Sequence, residues 1–214
     1  MADTTITIGI PVYQGVDLLD VTGPHEVLKW MHDPPRRKVD VQLIAATMDD
    51  IKTRDGFVFK PNKTFDNASK LDVLWVPGGD PPALIREMKE PSPYIAFLKK
   101  QSAAQYICSV CEGAILLAAS GLLDDHLATT HWRFIPCFAK FPKVRVAQGF
   151  PRFVRDRNRL TGGGISSGLD EAFKLVELLA GYEVAQDIQQ TTQYYPCPPV
   201  ASELVPATDC PLWK

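Results

Sequence analysis

The chain has 214 residues, of which 45% are hydrophobic and 22% are charged, and its formal net charge is −2 at neutral pH. This length suits one large domain with a sizeable core, and the composition is typical of a soluble globular protein. The chain has no basic block and no basic residues interleaved with aromatic ones, which argues against a nucleic-acid groove. No apolar run has the length of a membrane span.

Five cysteines lie at irregular spacing, at positions 108, 111, 137, 197 and 210. Residues 1–10 contain no basic segment, so we predict no secretory signal, a cytoplasmic location, and thiols that are free rather than paired. Cys108 and Cys111 form a C-x-x-C pair, but Cys108 falls in a predicted strand, whereas a redox pair begins a helix. The single pair and the four histidines also disfavour zinc, and we predict no metal.

Predicted strands and helices alternate through the first half of the chain. An apolar strand over residues 5–13 leads into a loop, in which Thr22 caps a helix that runs from about Pro24 to Met31. The other elements predicted here are a strand at 39–45, a small hairpin or edge excursion at 57–59 and 63–65, a strand at 71–76 buried on both faces, a helical region that ends at Met88, and a helix from Ser92 to Lys100.

Residues 105–119 predict a short apolar strand, a tight turn and an apolar helix, with Cys111 in the turn. Gly113 follows where a bulky side chain would crowd the bend, as in a nucleophile elbow. A thiol at this place lies at the positive end of the helix dipole, which favours the thiolate. The alternative interpretation is a buried structural cysteine, because free cysteine is among the most buried residue types.

The second half continues the alternation and ends in a proline-rich tail. Its predicted elements are short strands at 128–130, 144–146, 153–155 and 159–161, a loop or helix that starts at His131, and helices at 165–179 and 184–193. Alternation of this kind predicts an α/β fold, with a mostly parallel sheet and helices on both faces. We assign residues 1–195 to a single domain and 196–214 to an extended surface tail.

Ligand sites in open parallel sheets form where the strands end, and four predicted turns lie at such ends. They are the loop with Asp20, the turn Pro77-Gly78-Gly79, the Cys111 elbow, and the turn from Thr161 to Gly164. Their convergence favours Cys111 as a nucleophile over a structural cysteine. Backbone N–H groups near Gly78, Gly79 and Glu112 would stabilise negative charge, and Asp20 would act as a general acid.

Each of these residues also has an ordinary structural interpretation. The glycine turn can be a plain tight turn, Asp20 an exposed or capping acid, and Glu112 a solvent-facing acid in the first turn of a helix. His131 can pair with the cysteine, with Asp170 as the third member of a triad, or it can simply pack against its aromatic neighbour. The run Gly162-Gly163-Gly164 lacks the spacing of a dinucleotide fingerprint, and no P-loop is present.

Several stretches resemble the ThiJ/PfpI superfamily, and within it the isocyanide (isonitrile) hydratases, over about residues 5–195. They are Leu19-Asp20-Val21-Thr22-Gly23-Pro24, Pro77-Gly78-Gly79, Ser109-Val110-Cys111, Ala128-Thr129-Thr130-His131-Trp132 and Leu160-Thr161-Gly162-Gly163-Gly164. The resemblance implies a flavodoxin-like three-layer sandwich and a homodimeric lyase without metal or organic cofactor, which hydrates isocyanides to N-substituted formamides. It also implies a nucleophile at Cys111, a proton donor at Asp20, and an oxyanion- and substrate-binding set of Gly78, Gly79, Glu112, His131, Trp132 and Gly163.

One position departs from the hydratase pattern, because Glu112 stands where a threonine follows the nucleophile. A carboxylate there opposes thiolate formation unless it is protonated or turned away. Two other functions stay open, a glyoxalase- or deglycase-like enzyme and a redox sensor in which Cys111 is oxidised. Some transcription regulators share these motifs, but we expect no helix-turn-helix domain after residue 195.

Overall fold

A computed structural model describes residues 5–33 and 37–213 of the chain. Eleven strands and six α-helices are found among these residues. The strands are β1 (Thr5–Pro11), β2 (Lys38–Ala45), β3 (Ile51–Lys52), β4 (Val58–Phe59), β5 (Lys63–Thr64), β6 (Val73–Val76), β7 (Tyr106–Ser109), β8 (Leu127–Ala128), β9 (Arg145–Val146), β10 (Phe153–Asp156) and β11 (Arg159–Gly162). The helices are α1 (Leu18–Lys29), α2 (Pro81–Met88), α3 (Pro93–Lys100), α4 (Gly113–Ala119), α5 (Ser167–Ala180) and α6 (Tyr182–Thr191), with a 3₁₀ helix at Trp132–Lys140. Residues 1–4, which bear on the predicted absence of a secretory signal, lie outside the described residues.

Seven strands form the central sheet in the spatial order β10-β11-β7-β6-β1-β2-β5. Every neighbouring pair is parallel except β10 and β11, which form an antiparallel hairpin at one edge. All four residues of β6 are buried, as the continuous apolar run predicts. The prediction of a mostly parallel sheet is therefore confirmed.

The strand order brings the four predicted turns together. The strands β11, β7, β6 and β1 are neighbours, and parallel strands present their carboxyl ends at one edge of the sheet. The turns that follow them hold Gly163, Cys111, Gly78 and Asp17. The sheet thus places the candidate residues side by side before any side-chain contact is considered.

The helices pack in two groups. In one group α1 and α6 both contact α5, and in the other α2, α3 and α4 contact one another. Two groups of this kind are what a sheet covered on both faces requires. None of the described helices is both long and apolar enough to cross a lipid bilayer.

The start of α1 differs from the prediction. The helix begins at Leu18 rather than at Pro24, so Asp20 lies in its first turn and not in a loop. Thr22 is not the N-cap, since its hydroxyl donates to the carbonyl oxygen of Leu18 at 2.9 Å inside the helix. Pro24 lies within α1, where it removes one helical hydrogen bond, and a contact from β6 compensates for that loss, as described below.

The prediction that the thiols are free is wrong for two of the five cysteines. Cys137 in the 3₁₀ helix and Cys210 in the tail form a disulfide across a sequence separation of 73 residues. The tail returns to the body of the protein at its end, where Leu212 is buried and the ring of Trp213 lies against Phe141. Sequence spacing alone does not show this return, because the two cysteines are brought together only by the fold.

Candidate active site

Cys111 lies in the sharp bend between β7 and α4, with a φ of 52°. This is the left-handed region, which non-glycine residues adopt rarely and which is found often at functional sites. Gly113 makes the bend possible, since a Cβ there would lie 2.0 Å from the carbonyl oxygen of Val76. The predicted strand, turn and helix are therefore present, and Cys111 is only 1% exposed.

Three hydrogen bonds fix the position of Cys111. Its N–H donates to the carbonyl oxygen of Gly163 at 2.8 Å, and the hydroxyl of Thr130 donates to its carbonyl oxygen at 2.8 Å. The N–H of Ile165 donates to its Sγ at 2.9 Å. Ile165 has a φ of 33°, which is an outlier for a β-branched residue. The turn between β11 and α5 therefore holds a strained conformation that aims a donor at the sulfur.

Asp20 is completely buried, so the interpretation as an exposed acid is wrong. Its Oδ2 accepts a hydrogen bond from the N–H of Gly78 at 2.9 Å, and its carbonyl oxygen accepts one from Nε1 of Trp75 at 3.1 Å. That carbonyl oxygen is available because the residue four positions later, Pro24, has no N–H to donate. Both ends of Asp20 are thus held by the strand β6 and the turn after it.

Asp17, Asp20 and Cys111 form the acidic centre of the site, and one side-chain atom of each lies within 4.8 Å of the others. Burial, and then the charges of Asp17 and Glu112, raise the pKa of Asp20 well above its ordinary value. Burial, and then the charges of Asp20 and Glu112, also raise the pKa of Cys111, against the hydrogen bond from Ile165. Buried acids so close together cannot all ionise, so these effects outweigh the helix dipole that was expected to favour the thiolate.

Glu112 is 5% exposed, so the interpretation as a solvent-facing acid is wrong. Its carboxylate lies over the glycine turn, because a Cβ on Gly78 would come 2.5 Å from its Oε2, and the N–H of Gly79 hydrogen-bonds to it. Burial is the largest effect and raises the pKa of Glu112 to about 7. The N–H groups of Gly78 and Gly79, which we expected to stabilise charge on a substrate, are therefore bonded to the two acids.

Asp17 and Arg54 complete the charged part of the site. Asp17 is 3% exposed and precedes α1, and its Oδ2 lies 3.3 Å from Nη1 of Arg54. Burial raises the pKa of Asp17, and the guanidinium of Arg54 opposes the rise.

Asp17, Asp20 and Cys111 are also the described residues whose donor atoms lie close enough to meet at one metal ion, although a thiolate with two carboxylates is a mixed set of soft and hard ligands.

His131 is held by local contacts. Its Nδ1 accepts a hydrogen bond from the N–H of Arg133 at 3.3 Å, and its ring packs on Gly164, where a Cβ would lie 2.6 Å from Cδ2. Burial, and then the charge of Arg54, lower the pKa of His131, so the ring is neutral at pH 7. Among the described residues, no hydrogen bond joins His131 to Cys111.

Asp170, the candidate third member of a triad, is bonded to other partners. The Nε of Arg152 contacts its Oδ2, and the hydroxyl of Tyr194 donates to its Oδ1 at 2.6 Å. Within the described ranges no hydrogen bond joins Asp170 to His131. The structure therefore does not assemble the triad.

A cavity of about 540 Å³ borders the turn after β11 and reaches Ile165, the residue whose N–H donates to the thiol, but Cys111, Asp20 and Glu112 are not among its lining residues. Thr130, Gly163 and Ile165, the three hydrogen-bond partners of Cys111, are among its lining residues. The volume lies in the range of small-molecule sites. Its walls also include His131, Trp132, Phe150, Ser202 and Leu204. Three residues of the predicted binding set, His131, Trp132 and Gly163, thus face the same cavity.

Residues 7–178 match the DJ-1/PfpI family. This chain belongs to the DJ-1/PfpI family. It is 36% identical over 198 residues to a protein from Pseudomonas putida that is named isonitrile hydratase, and the match covers 92% of this chain and 82% of that protein. A crystal structure of a ThiJ/PfpI family protein from Pseudomonas syringae is 31% identical with a TM-score of 0.84, and covers 92% of this chain and 78% of that chain. The predicted resemblance is confirmed.

Two further matches are more distant. DJ-1beta from Drosophila melanogaster shares it with a TM-score of 0.75 at 18% identity, over 90% of this chain and all of that chain. The HTH-type transcriptional regulator GbdR from Pseudomonas aeruginosa is 30% identical over 142 residues, which are 65% of this chain and 37% of the regulator. The predicted α/β sandwich agrees with these structural neighbours.

In this DJ-1/PfpI protein, the sequence patterns predict Cys111, Asp20 and Glu112 as site residues but not Asp17, Arg54 or Ile165. Asp17 precedes Asp20 by three residues, a spacing that places both on one side of a helix start. Ile165 follows the glycine run 162–164, which indicates a tight turn but not which N–H group faces the thiol. Arg54 comes from the turn after β3, and no local pattern connects that turn to the site.

Proposed function

We propose that this protein is an isocyanide hydratase, a lyase that adds water to the terminal carbon of an isocyanide and releases an N-substituted formamide. The observation that carries the proposal is a buried thiol beside a buried acid, since one side-chain atom of Cys111 and one of Asp20 lie within 4.8 Å of each other. The similarity to the protein named isonitrile hydratase supports it. An isocyanide has one small reactive end, which suits one nucleophile, one proton donor and a cavity for the substituent.

The first step uses one thiolate and one carboxylic acid. Cys111 and Asp20 share a proton as a coupled pair, because burial disfavours a second negative charge there. The Sγ of Cys111 forms a bond to the isocyanide carbon while Asp20 gives its proton to the same carbon. The product is a thioimidate, S–CH=N–R, on Cys111. The hydrogen bond from the N–H of Ile165 stabilises the thiolate before the attack.

The second step returns the proton and releases the product. Asp20, now a carboxylate, takes a proton from a water molecule whose oxygen bonds to the thioimidate carbon, and the nitrogen receives that proton. The C–S bond then breaks, the hydroxyl proton passes to the pair of Cys111 and Asp20, and R–NH–CHO leaves. One isocyanide and one water give one formamide without oxidation or reduction. Cys111, Asp20 and the water therefore account for every bond and proton in the reaction.

We infer that Glu112 is a positioning residue rather than the proton donor. Its carboxylate is bound by the N–H of Gly79, and its pKa of about 7 leaves it protonated at slightly acid pH. A protonated Glu112 removes the repulsion that would otherwise oppose a thiolate at Cys111. In this scheme Gly78 and Gly79 hold the two acids, and the residues that bind the substituent are His131, Trp132 and Gly163.

The redox-sensor alternative has no supporting observation. Sensor cysteines are exposed thiolates, whereas Cys111 is 1% exposed and burial raises its pKa. The glyoxalase- or deglycase-like alternative uses the same thiol and acid, so it is separated by substrate and not by geometry. Parallel assays with an isocyanide and with methylglyoxal distinguish the two enzymes.

Several further features belong to the same proposal. We propose a cytoplasmic homodimer without metal or organic cofactor, with residues 1–195 as the single domain and 196–214 as the tail, and with neither nucleic acid nor membrane as a partner. These points rest on the sequence and on the family resemblance. A cytoplasmic chain would meet reducing conditions that act against the bond between Cys137 and Cys210.

The proposed function is tested by formamide production. We expect the formyl proton of the product to appear by NMR with an alkyl or an aryl isocyanide, and we expect Cys111→Ala to abolish it with the fold intact. Cys197→Ser is the matched control, because Cys197 is an exposed free cysteine and that variant should keep full activity. Formamide production by Cys111→Ala, or turnover of methylglyoxal alone, would contradict the proposal.

A further inference from the structure

The C-terminal segment 196–213 contributes two residues to the cavity that borders Ile165. Ser202 and Leu204 belong to the lining of the 540 Å³ cavity, together with Gly163 and Ile165. Leu204 is 47% exposed, so about half of its side-chain surface is covered by the protein where it borders the cavity. The segment therefore supplies an apolar side chain to a space whose other walls include Ile165, the donor to the thiol of Cys111, and Thr130 and Gly163, which bond its backbone.

The anchors of the segment lie at its far end. Among the described residues, no backbone hydrogen bond joins residues 196–213 to the sheet or the helices. Its anchors are the disulfide from Cys210 to Cys137, the buried side chain of Leu212, and Trp213, over whose ring Nζ of Lys140 lies at 4.2 Å. Because the intervening residues are mostly exposed, the position of Leu204 depends on these anchors.

We propose that residues 196–213 form a strap whose Ser202 and Leu204 make one wall of the candidate substrate cavity, with Leu204 limiting the size of the isocyanide substituent and the disulfide between Cys137 and Cys210 holding the strap in place. The inference rests on the proposed function for the identity of the substrate. It adds a specificity-determining residue that lies outside the region matched to the family, residues 7–178.

The strap also makes substrate selection sensitive to reduction. A dithiol reductant transfers two electrons and two protons to the S–S bond, which gives thiols at Cys137 and Cys210, while the dithiol closes to its own disulfide. Leu212 and Trp213 then remain as the only anchors described above. The strap loosens, and the cavity admits larger groups to Cys111.

Alkylation of Cys111 tests the strap without any assumption about the reaction catalysed. The probes are iodoacetamide and its bulky N-pyrenyl derivative, which share one reactive group, and the rate at the Cys111 peptide is followed by mass spectrometry. A Cys197→Ser background removes the exposed thiol. Leu204→Ala is compared with Val200→Ala, a truncation on the same segment at a residue that is 77% exposed.

We expect Leu204→Ala to raise the ratio of bulky to small rates roughly tenfold, since truncating a pocket wall changes discrimination by about this factor. Val200→Ala should leave the ratio unchanged. Treatment with dithiothreitol followed by desalting should raise the ratio in the parent protein and leave it unchanged in the double variant Cys137→Ala/Cys210→Ala, where it is already high. With isocyanides, Leu204→Ala should raise kcat/KM for bulky substituents relative to small ones.

Equal ratios for Leu204→Ala and Val200→Ala would overturn the role of Leu204. An unchanged ratio after the thiols of Cys137 and Cys210 have been titrated as free would overturn the role of the disulfide. If no isocyanide yields a formamide but the alkylation ratios shift as expected, the proposed function is wrong, whereas the role of the strap in access to Cys111 is retained.

Discussion

The N–H of Ile165 donates to the Sγ of Cys111 over 2.9 Å from a backbone conformation that β-branched residues seldom adopt. This donor is the main contact that favours a negative charge on the sulfur. Burial and the carboxyl groups of Asp20 and Glu112 work against that charge. The reactivity of Cys111 therefore depends on whether these two acids hold protons.

Replacing Asp20 by asparagine should lower kcat for formamide production by at least about a hundredfold, because general acid catalysis contributes a factor of this size. The asparagine side-chain oxygen can still accept the hydrogen bond from Gly78, so the fold and the thermal midpoint should change little. Alkylation of Cys111 by iodoacetamide should persist, which separates loss of the acid from loss of the nucleophile. Normal turnover would transfer the proton-donor role to Glu112 or His131.

Glu112 should make the protein less stable as the pH rises. Its pKa is about 7 in the folded protein and has an ordinary value of 4.5, so the folded state holds a proton between these values that the unfolded state has lost. Glu112 therefore contributes its full share to the free energy of unfolding below about pH 4.5. That contribution, roughly 3 kcal/mol, is lost as the pH rises from there through 7. Urea unfolding at pH 5 and pH 8 should show this decrease in the parent protein and a smaller one in Glu112→Gln. An equal decrease in both proteins would show that Glu112 does not hold the proton.

The same substitution should make Cys111 more reactive at alkaline pH. Above pH 7 the carboxylate of Glu112 adds a negative charge beside the thiol, and Glu112→Gln removes that charge while keeping the side-chain volume. We expect alkylation of Cys111 at pH 8 to be about tenfold faster in the variant, which corresponds to one pKa unit, and nearly unchanged at pH 6. Glu87→Gln, at an acid far less buried and not among the causes of the raised Cys111 pKa, is the control.

The sequence predicts the frame of this site because local patterns determine it. The run 71–76 is apolar at nearly every position, and the strand Val73–Val76 is buried throughout. Cys111 and Gly113 mark a strand-to-helix bend, and the bend is present at that place. In both cases the residues that specify the structure are neighbours in the chain.

The parts that the sequence does not predict depend on contacts between distant segments. Pro24 predicts a helix start, yet α1 begins six residues earlier, because Trp75 supplies a donor for the carbonyl oxygen that proline leaves free. Cys137 and Cys210 meet only after the tail has returned to the 3₁₀ helix. Propensity and spacing describe neighbours in sequence, so such compensations appear only in the folded chain.

Gly113→Ala should destabilise the protein by about 2–3 kcal/mol and disrupt the position of Cys111, because the new Cβ would meet the backbone of Val76, which cannot give way within the sheet. Gly121→Ala is the matched control. A Cβ at Gly121 meets nothing within 4 Å, and the substitution costs only the left-handed strain, about 1–2 kcal/mol. Chemical denaturation and the formamide assay should show that only Gly113→Ala loses activity. Unchanged activity in Gly113→Ala would show that the turn accommodates a Cβ at this position without displacing Cys111.

Trp75 and Pro24 should be coupled through the carbonyl oxygen of Asp20. Trp75→Phe removes the Nε1 donor and leaves that buried oxygen without a partner, while Pro24→Ala creates a backbone N–H that can donate to it from within α1. The double variant should therefore be more stable than the sum of the two single changes predicts, by about 1–2 kcal/mol in urea unfolding. The cavity left by the smaller ring cancels in this comparison, since it is present both in Trp75→Phe and in the double variant. Trp75→Phe combined with Pro81→Ala, at the first position of α2, should be additive within about 0.5 kcal/mol. Additivity of the Trp75 and Pro24 changes would show that the indole is not what allows a proline inside α1.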